Sequence, residues 1–422
     1  MLAALVQRLP MLRIAARRSR AFLRRLRFLA RTGMPHTEEK TAVFAAYGGR
    51  SYACSPKAIY EYMRSQPAFR DFKLIWLFQK PERYRFLEED PQTAVYAYGS
   101  PEADRAVARA KYWIFNFMIP EQWVPRSTQV YVQCWHGTPL KKLGLDLEYS
   151  ENAMNSIREI HERYRENAGK LGYLLSPSPF ATAALSSAWG LRAAGKADAV
   201  LELGYPRNDV LSRYTQADVR RIREKLGLAD CSKRILLYAP TWRDDQYDPK
   251  TGYTYDCPVD FDRLQRSLGD SFVILFRAHY LVAEKFDFSR YAGFVLDVSG
   301  IDDVNELYVV SDMLITDYSS VFFDYANLCR PILFYMYDLE FYRGRLHAFY
   351  LEPDRLPGEI VRDEDALAAA VWRSARYGAD ERVKAFRAQF CPLDDGEAAK
   401  RVVEVIVHGK KGVEPTSENQ MA

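Results

Sequence analysis

Residues 309–335 read VVSDMLITDYSSVFFDYANLCRPILFY, and the order of residue types is that of strand, tight turn, helix, turn and strand. Met313 to Thr316 is a short apolar run suited to a buried strand, and Val321 to Leu328 has the length and composition of a helix. Asp317, Tyr318, Ser319 and Ser320 lie between them. Asp and Ser there are good N-caps, because their side-chain oxygens accept the free N–H groups of a helix's first turn. The same N–H groups, at the positive end of the helix dipole, can hold a phosphate. Arg330-Pro331 ends the helix, since proline has no N–H and disfavours helix in the residue before it. A capped βαβ unit without a ligand fits this stretch equally well, so the rest of the chain has to decide.

Upstream, the same alternation recurs. TAVFAAY (41–47), FKLIWLF (72–78), TAVYAY (93–98), YWIFNF (112–117) and QVYVQCW (129–135) are strand candidates, and helical stretches such as Pro56–Ser65 and Glu102–Ala110 separate several of them. A polar helical segment, Asn208 to Leu228, follows. A second series then runs through RILLYAP (234–240), FVILFR (272–277), GFVLDV (293–298), DMLIT (312–316) and PILFY (331–335). Strands alternating with helices argue for mainly parallel sheets. The expectation is an α/β protein with an N-terminal domain over 41–206 and a C-terminal domain over 207–409. The polar residues 410–422 are expected to be disordered. Two such halves invite a cleft, with ligands beyond the carboxyl ends of the strands.

Composition narrows the function. A net charge of only +4 over 422 residues argues against a nucleic-acid binder. The six cysteines (54, 134, 231, 257, 329 and 391) form no C-x-x-C pair and no zinc spacing, which suits a reducing compartment. No run approaches the length of a transmembrane helix. Residues 1–33 differ from all that follows, with nine arginines and no acid. A helix over Met11–Arg31 gathers Met11, Leu12, Ala15, Phe22, Leu23, Leu26, Leu29 and Ala30 on one arc. Arg17, Arg20, Arg24, Arg27 and Arg31 fall opposite, with Arg18 and Arg25 on a flank and Phe28 off the pattern. A basic amphipathic helix of this kind suits an anionic membrane surface.

The chemistry gathers where strands end. QVYVQCW is followed by His136-Gly137-Thr138-Pro139 and Lys141-Lys142, ILLYAP by Thr241-Trp242-Arg243-Asp244, FVILFR by Ala278-His279, and DMLIT by Asp317 to Ser320. His136 can serve as a general base near neutral pH, and Gly137 lets a ligand approach the backbone. Arg277 and His279 would project to one side and neutralise a diphosphate, and Arg243 could do the same. Asp303 and Glu306 read as a capping box, with a ribose contact as the sharper role for Glu306. The absence of G-x-G-x-x-G, a Walker loop and a two-metal carboxylate cluster argues against a nicotinamide enzyme or an ATPase.

With these stretches in view, the chain resembles the CDP-glycerol glycerophosphotransferases, the family of teichoic-acid primases and polymerases. The resemblance rests on YACSPK (52–57), WHGTPLKKLG (135–144), LLSPSPF (174–180), LGYPRND (203–209), YAPTWRDD (238–245), Arg277-Ala278-His279, and the long stretch from Val298 to Tyr342. DGEAAKR (395–401) matches more weakly. It implies a GT-B-like fold, two Rossmann-like domains facing a cleft. The first half would bind a lipid-linked or polymer acceptor through Gly137, Thr138, Lys141 and Lys142. The second would bind CDP-glycerol, or CDP-ribitol, through Arg243, Arg277, Asp317, Ser319, Ser320 and Glu306. His136 and His279 would be the catalytic pair, CMP the leaving nucleotide, and the cytoplasmic face of the bacterial membrane the place of work. No tightly bound cofactor and no protein-held metal are implied, although a divalent cation could accompany the donor. The chain departs from the family at His347-Ala348, where Arg-Gly is usual, and at Glu359, where Pro-Gly-Pro is usual. A nucleotide-sugar glycosyltransferase of the same fold and a non-catalytic scaffold of an envelope-polymer complex are the competing functions.

Overall fold

A computed structural model describes residues 10–148, 156–241, 247–248, 252–253, 259–278, 287–342 and 348–409. Two parallel sheets organise it. The first contains β1 (Glu38–Ala45), β2 (Lys73–Phe78), β3 (Thr93–Ala97), β4 (Ala110–Phe115), β5 (Val130–Gln133), β6 (Tyr173–Ser176) and β7 (Val200–Glu202). The second contains β8 (Arg234–Ala239), β11 (Phe272–Phe276), β12 (Val295–Asp297), β13 (Met313–Thr316), β14 (Ile332–Tyr335) and β15 (Glu359–Val361), with a two-stranded pair β9 (Tyr247–Asp248) and β10 (Gly252–Tyr253) apart from both sheets. Strand order is β3-β2-β1-β4-β5-β6-β7 in one and β12-β11-β8-β13-β14-β15 in the other. Each sheet therefore reverses direction once, between β1 and β4 and between β8 and β13, where a doubly wound sheet opens a crevice for ligands.

The unbroken apolar runs follow from this. Both faces of a parallel sheet are covered, so successive side chains enter different cores. Ala42 and Phe44 of β1 join one cluster with Ile59, Tyr60 and Trp76, whereas Val43 and Ala45 join another with Val107, Trp113 and Trp189. In β8, Ile235 and Leu237 face one cluster, and Leu236 and Tyr238 the other.

Three expectations change. The segment from Asn208 to Leu228 is two helices, Asp209–Arg213 and Gln216–Lys225, because Thr215 and Asp218 form a capping box that starts a new helix. The end of the span expected for the second domain packs on the first. The helix Ala398–His408 returns to the first half, burying Val402, Val403, Val405 and Ile406 in its core. Asp209 caps this helix, accepting from the N–H groups of Ala398 (2.9 Å) and Ala399 (2.8 Å). Finally β6, β7 and β15, of three or four residues each, are strands only because a neighbour pairs with them.

The N-terminal helix spans Pro10–Thr32. Phe28, off the amphipathic pattern, packs on the first-half core, and Arg31 Nη1 meets Asp104 Oδ2 at 2.8 Å. Phe22, Leu23, Leu26 and Leu29 stay exposed. Among the described residues no helix is long and apolar enough to cross a membrane. The tail at 410–422 lies outside the described residues.

Candidate active site

The expected turn after β13 sits at the switch point of the second sheet. Asp317 is 2% exposed, and its Oδ1 accepts from Thr241 N (2.8 Å) after β8 and from Tyr318 N (2.6 Å). That carboxylate joins the two strand ends across the crevice, so its place is inside the turn and not on the cleft wall expected for a donor contact. The following helix is short, Val321–Tyr325, and continues as a 3-10 turn to Leu328. Ser320 stands at its N-cap without a side-chain capping bond. The expected capping by this serine is absent, and its half-buried hydroxyl faces the first half of the molecule.

What it faces is the loop after β5. A Cβ at Gly137 would collide with Ser320 Oγ, so only glycine lets the two walls approach this closely. His136 is beside it. Its Nδ1 lies 2.8 Å from the carbonyl oxygen of Asn116, at the end of β4. A carbonyl can only accept, so Nδ1 carries the hydrogen and Nε2 keeps its lone pair. The ring lies against Trp135, with centroids 4.5 Å apart, and its edge is open to the cleft. Desolvation pushes the pKa below the ordinary imidazole value. The Arg207 charge adds to this, and the Asn116 carbonyl opposes it. The group is thus an uncharged, oriented base.

The rest of the loop crosses to the second half. Lys141 pairs with Phe349 in an isolated antiparallel bridge, Lys142 N donates to Ala348 O (2.8 Å), and Tyr350 N donates to Leu140 O (2.8 Å). Lys141 Nζ donates to Tyr342 Oη at 3.0 Å, and Lys142 Nζ lies 3.8 Å from Glu148. Thr138 is 1% exposed and supports the loop from inside. His136, Gly137, Lys141, Arg277, Thr241, Ser319 and Ser320 line a space of about 490 Å³. It continues into a wider one of about 1150 Å³, which His136, Arg277 and Ser320 also line. Together they have room for a nucleoside diphosphate and an acceptor end. Arg277 Nη1 donates to Ile301 O at 2.7 Å.

Glu306 stands apart. Asp303 does cap its helix, accepting from Asn305 N at 3.1 Å, but the reciprocal bond is missing. Glu306 instead pairs with Lys225 Nζ at 2.5 Å and lines a cavity behind the cleft. The expected box fails because Asp303 is drawn to Lys57 Nζ (2.8 Å) of the first half and Glu306 to Lys225. Arg243, His279 and His347 lie outside the described residues.

Several site features were not singled out from sequence. Tyr47, Cys54 and Trp135 line the cleft with left-handed φ values of 50°, 65° and 51°. Such strain in non-glycine residues, about 1–3 kcal/mol each, collects at functional sites. Arg207, whose N–H meets Ser55 Oγ of the first half at 3.4 Å, forms a buried two-bonded ion pair with Asp324 of the second, Nε to Oδ2 at 3.0 Å and Nη2 to Oδ1 at 2.8 Å. Asn208 Nδ2 donates to Asp324 (3.0 Å) and to Asp394 (2.6 Å), which also accepts from Tyr205 N and Asn327. Asn116 could have been found as one more strand-end residue; Arg207 and Asp324 meet only in three dimensions.

The sequence profile of the family described as CDP-Glycerol:Poly(glycerophosphate) glycerophosphotransferase matches residues 26–408. The teichoic acid poly(glycerol phosphate) polymerase of Bacillus spizizenii is 36% identical over 378 residues, 89% of this chain and 94% of that protein. The teichoic acid glycerol-phosphate transferase of Staphylococcus aureus is 36% identical over 373 residues, 86% of this chain and 92% of that one. A solved structure of the wall teichoic acid polymerase TagF superposes with a TM-score of 0.80 at 33% identity, covering 94% of this chain and 98% of the other, and a TagF variant has been solved after a soak with CDPG. The two facing Rossmann-like domains are thus GT-B-like, and the chain belongs to the CDP-glycerol:poly(glycerophosphate) glycerophosphotransferase family and is, with it, a glycerol-phosphate transferase.

Proposed function

We propose that the chain transfers glycerol phosphate from CDP-glycerol to a hydroxyl of a teichoic-acid-like acceptor, with His136 as the base. The observation that carries this reading is the face-to-face placement of His136-Gly137 on one half and Ser319-Ser320 on the other. The acceptor hydroxyl gives its proton to His136 Nε2 while its oxygen attacks the distal phosphorus. The bond from that phosphorus to the bridging oxygen breaks, and CMP leaves with the electron pair. Arg277 and the two serine hydroxyls stabilise the charge on the phosphates, which is most of what phosphoryl transfer asks of a protein. His279, next after Ala278 in sequence, is assigned to the diphosphate as well. A divalent ion, where one takes part, arrives with the donor.

Glycerol rather than ribitol is the polyol, because the relatives matched over 86% of the chain or more are glycerol-phosphate proteins by name, whereas the ribitol-phosphate polymerases match 66% of it or less. The acceptor is lipid-linked, and the protein sits on the cytoplasmic face of the membrane through its N-terminal arginine helix. Incubating the protein with labelled CDP-glycerol, CDP-ribitol and UDP-sugars in turn tests the reading. Release of CMP from CDP-glycerol is the expected result. Release of UDP alone would make it a glycosyltransferase, and no release at all a scaffold.

A further inference from the structure

We propose that Arg207 is a phosphate-binding residue of this reaction, its free Nη1 group donating to a phosphate oxygen of a substrate in the wider part of the cleft. The inference rests on the transfer reaction proposed above. Arg207 is 5% exposed, and two of its three nitrogens are engaged by Asp324. The third, Nη1, is buried and has no hydrogen-bond partner. A purely structural clamp between the halves is complete with the two bonds to Asp324. A buried donor left over on a cation is costly, and an absent ligand is one of the few reasons for it.

The guanidinium belongs to the cleft. Arg207 borders both the cleft and the cavity behind it, but Asp324, on which the guanidinium rests, lines the cleft alone. The Arg207 Cζ lies 3.9 Å above the Tyr205 ring, which holds the plane still. An arginine has no acceptor, so its partner must accept, and a phosphate oxygen fits. Of the neighbouring acids, Asp303 is neutralised by Lys57 (2.8 Å), while Asp302 accepts from Tyr84 Oη (2.7 Å) and Asp297 from Ser299 N (2.9 Å). Arg277 lines the same space, so a phosphate there meets two arginines. The phosphate is that of the donor's diphosphate or that at the acceptor's chain end.

Arg207→Lys separates the roles, because lysine keeps a charge beside Asp324 but lacks the Nη1 arm. The double variant Arg207→Gln/Asp324→Asn removes both charges together and serves if the first does not fold. With CDP-glycerol and a short glycerol-phosphate acceptor, either variant with a near-native melting temperature should lose about ten- to a hundredfold in kcat/KM, the worth of one charge-assisted hydrogen bond. Weaker CDP-glycerol binding by calorimetry places the contact on the donor; a raised KM for the acceptor alone places it on the chain end. Unchanged kinetics in a folded variant overturns the proposal. Soaking the unaltered protein with CDP-glycerol and with glycerol 3-phosphate is the independent arm. A phosphate oxygen within hydrogen-bond distance of Nη1 supports the proposal, and phosphates clear of it in both soaks refute it. If the wild type releases no CMP at all, the functional reading falls first. Calorimetry with inorganic pyrophosphate, wild type against Arg207→Lys, then decides the phosphate site on its own.

Discussion

Replacing His136 by alanine should abolish most of the transfer while leaving the donor bound. The magnitude follows from the geometry. The Asn116 carbonyl fixes the hydrogen on Nδ1, so Nε2 is the basic nitrogen that faces the cleft. Desolvation pushes the pKa below the ordinary imidazole value, so the neutral form prevails at neutral pH. A positioned base of this kind contributes about 10²- to 10⁴-fold, or roughly 3–5 kcal/mol of barrier. The ring makes no packing contact with a bound diphosphate in this reading, so the Kd for CDP-glycerol should change less than about threefold. The sign of the pH dependence is also set. Raising the pH removes the proton and frees the base, so the wild-type rate should rise along an acid limb of unit slope with a midpoint below the ordinary imidazole value. In His136→Ala that limb should disappear. Single-turnover release of CMP, measured from pH 5 to 8 with circular dichroism as a folding control, gives both quantities. A variant that keeps its rate, or one that loses donor affinity in proportion to rate, would refute the assignment.

Other outcomes test the frame around the base. Gly137→Ala should push the β5 loop off Ser320, costing about 1–3 kcal/mol as overpacking does and at least about tenfold in rate; Ser320→Gly added to it should restore part of both, read by thermal unfolding and CMP release. Asp394, 1% exposed, accepts from Tyr205 N, Asn208 and Asn327, so Asp394→Asn turns an amide donor toward donors and should lower urea stability by about 1–3 kcal/mol. Burial pushes that carboxyl up to about 6, against roughly 3.9 unfolded. The folded state therefore binds its proton first, and the Asp394 contribution to stability should grow as pH falls from about 6 to 4. Asp394→Asn, compared with wild type, should lack this slope. Deleting residues 1–33 should release the protein from anionic vesicles and spare transfer between soluble substrates, and salt should weaken binding of the full chain; unchanged vesicle binding would defeat the membrane assignment.

The two sheets were legible because their central strands are long and apolar. In ILLYA and FVILF every residue is buried, on one face or the other, so local composition alone marks them as core strands. β6, β7 and β15 were not singled out because each is a run of three or four residues with a Ser or Glu at one end, and pairing with a neighbour is what makes it a strand. Strand ends led to His136, Arg277, Ser319 and Ser320, since a parallel sheet delivers its carboxyl ends to one rim. Within that rim, residue type could not say which way a side chain turns. Asp317 and Glu306 read as ligands from their chemistry. One is spent on the backbone of Thr241 and Tyr318, the other on Lys225.

By itself the amino-acid sequence determined the class of fold, the family, and the strand ends at which the candidate site residues stand. These rest on short-range patterns: apolar runs, turn residues, and motifs of neighbouring positions. Only the tertiary structure decided how the halves meet. Arg207 lies 117 residues from Asp324, Lys57 lies 246 from Asp303, and the helix Ala398–His408 closes back on a domain that begins some 360 positions earlier. No local pattern encodes such partners, because each pairing is selected by burial: a charge taken out of water must find its counter-charge wherever the fold brings one.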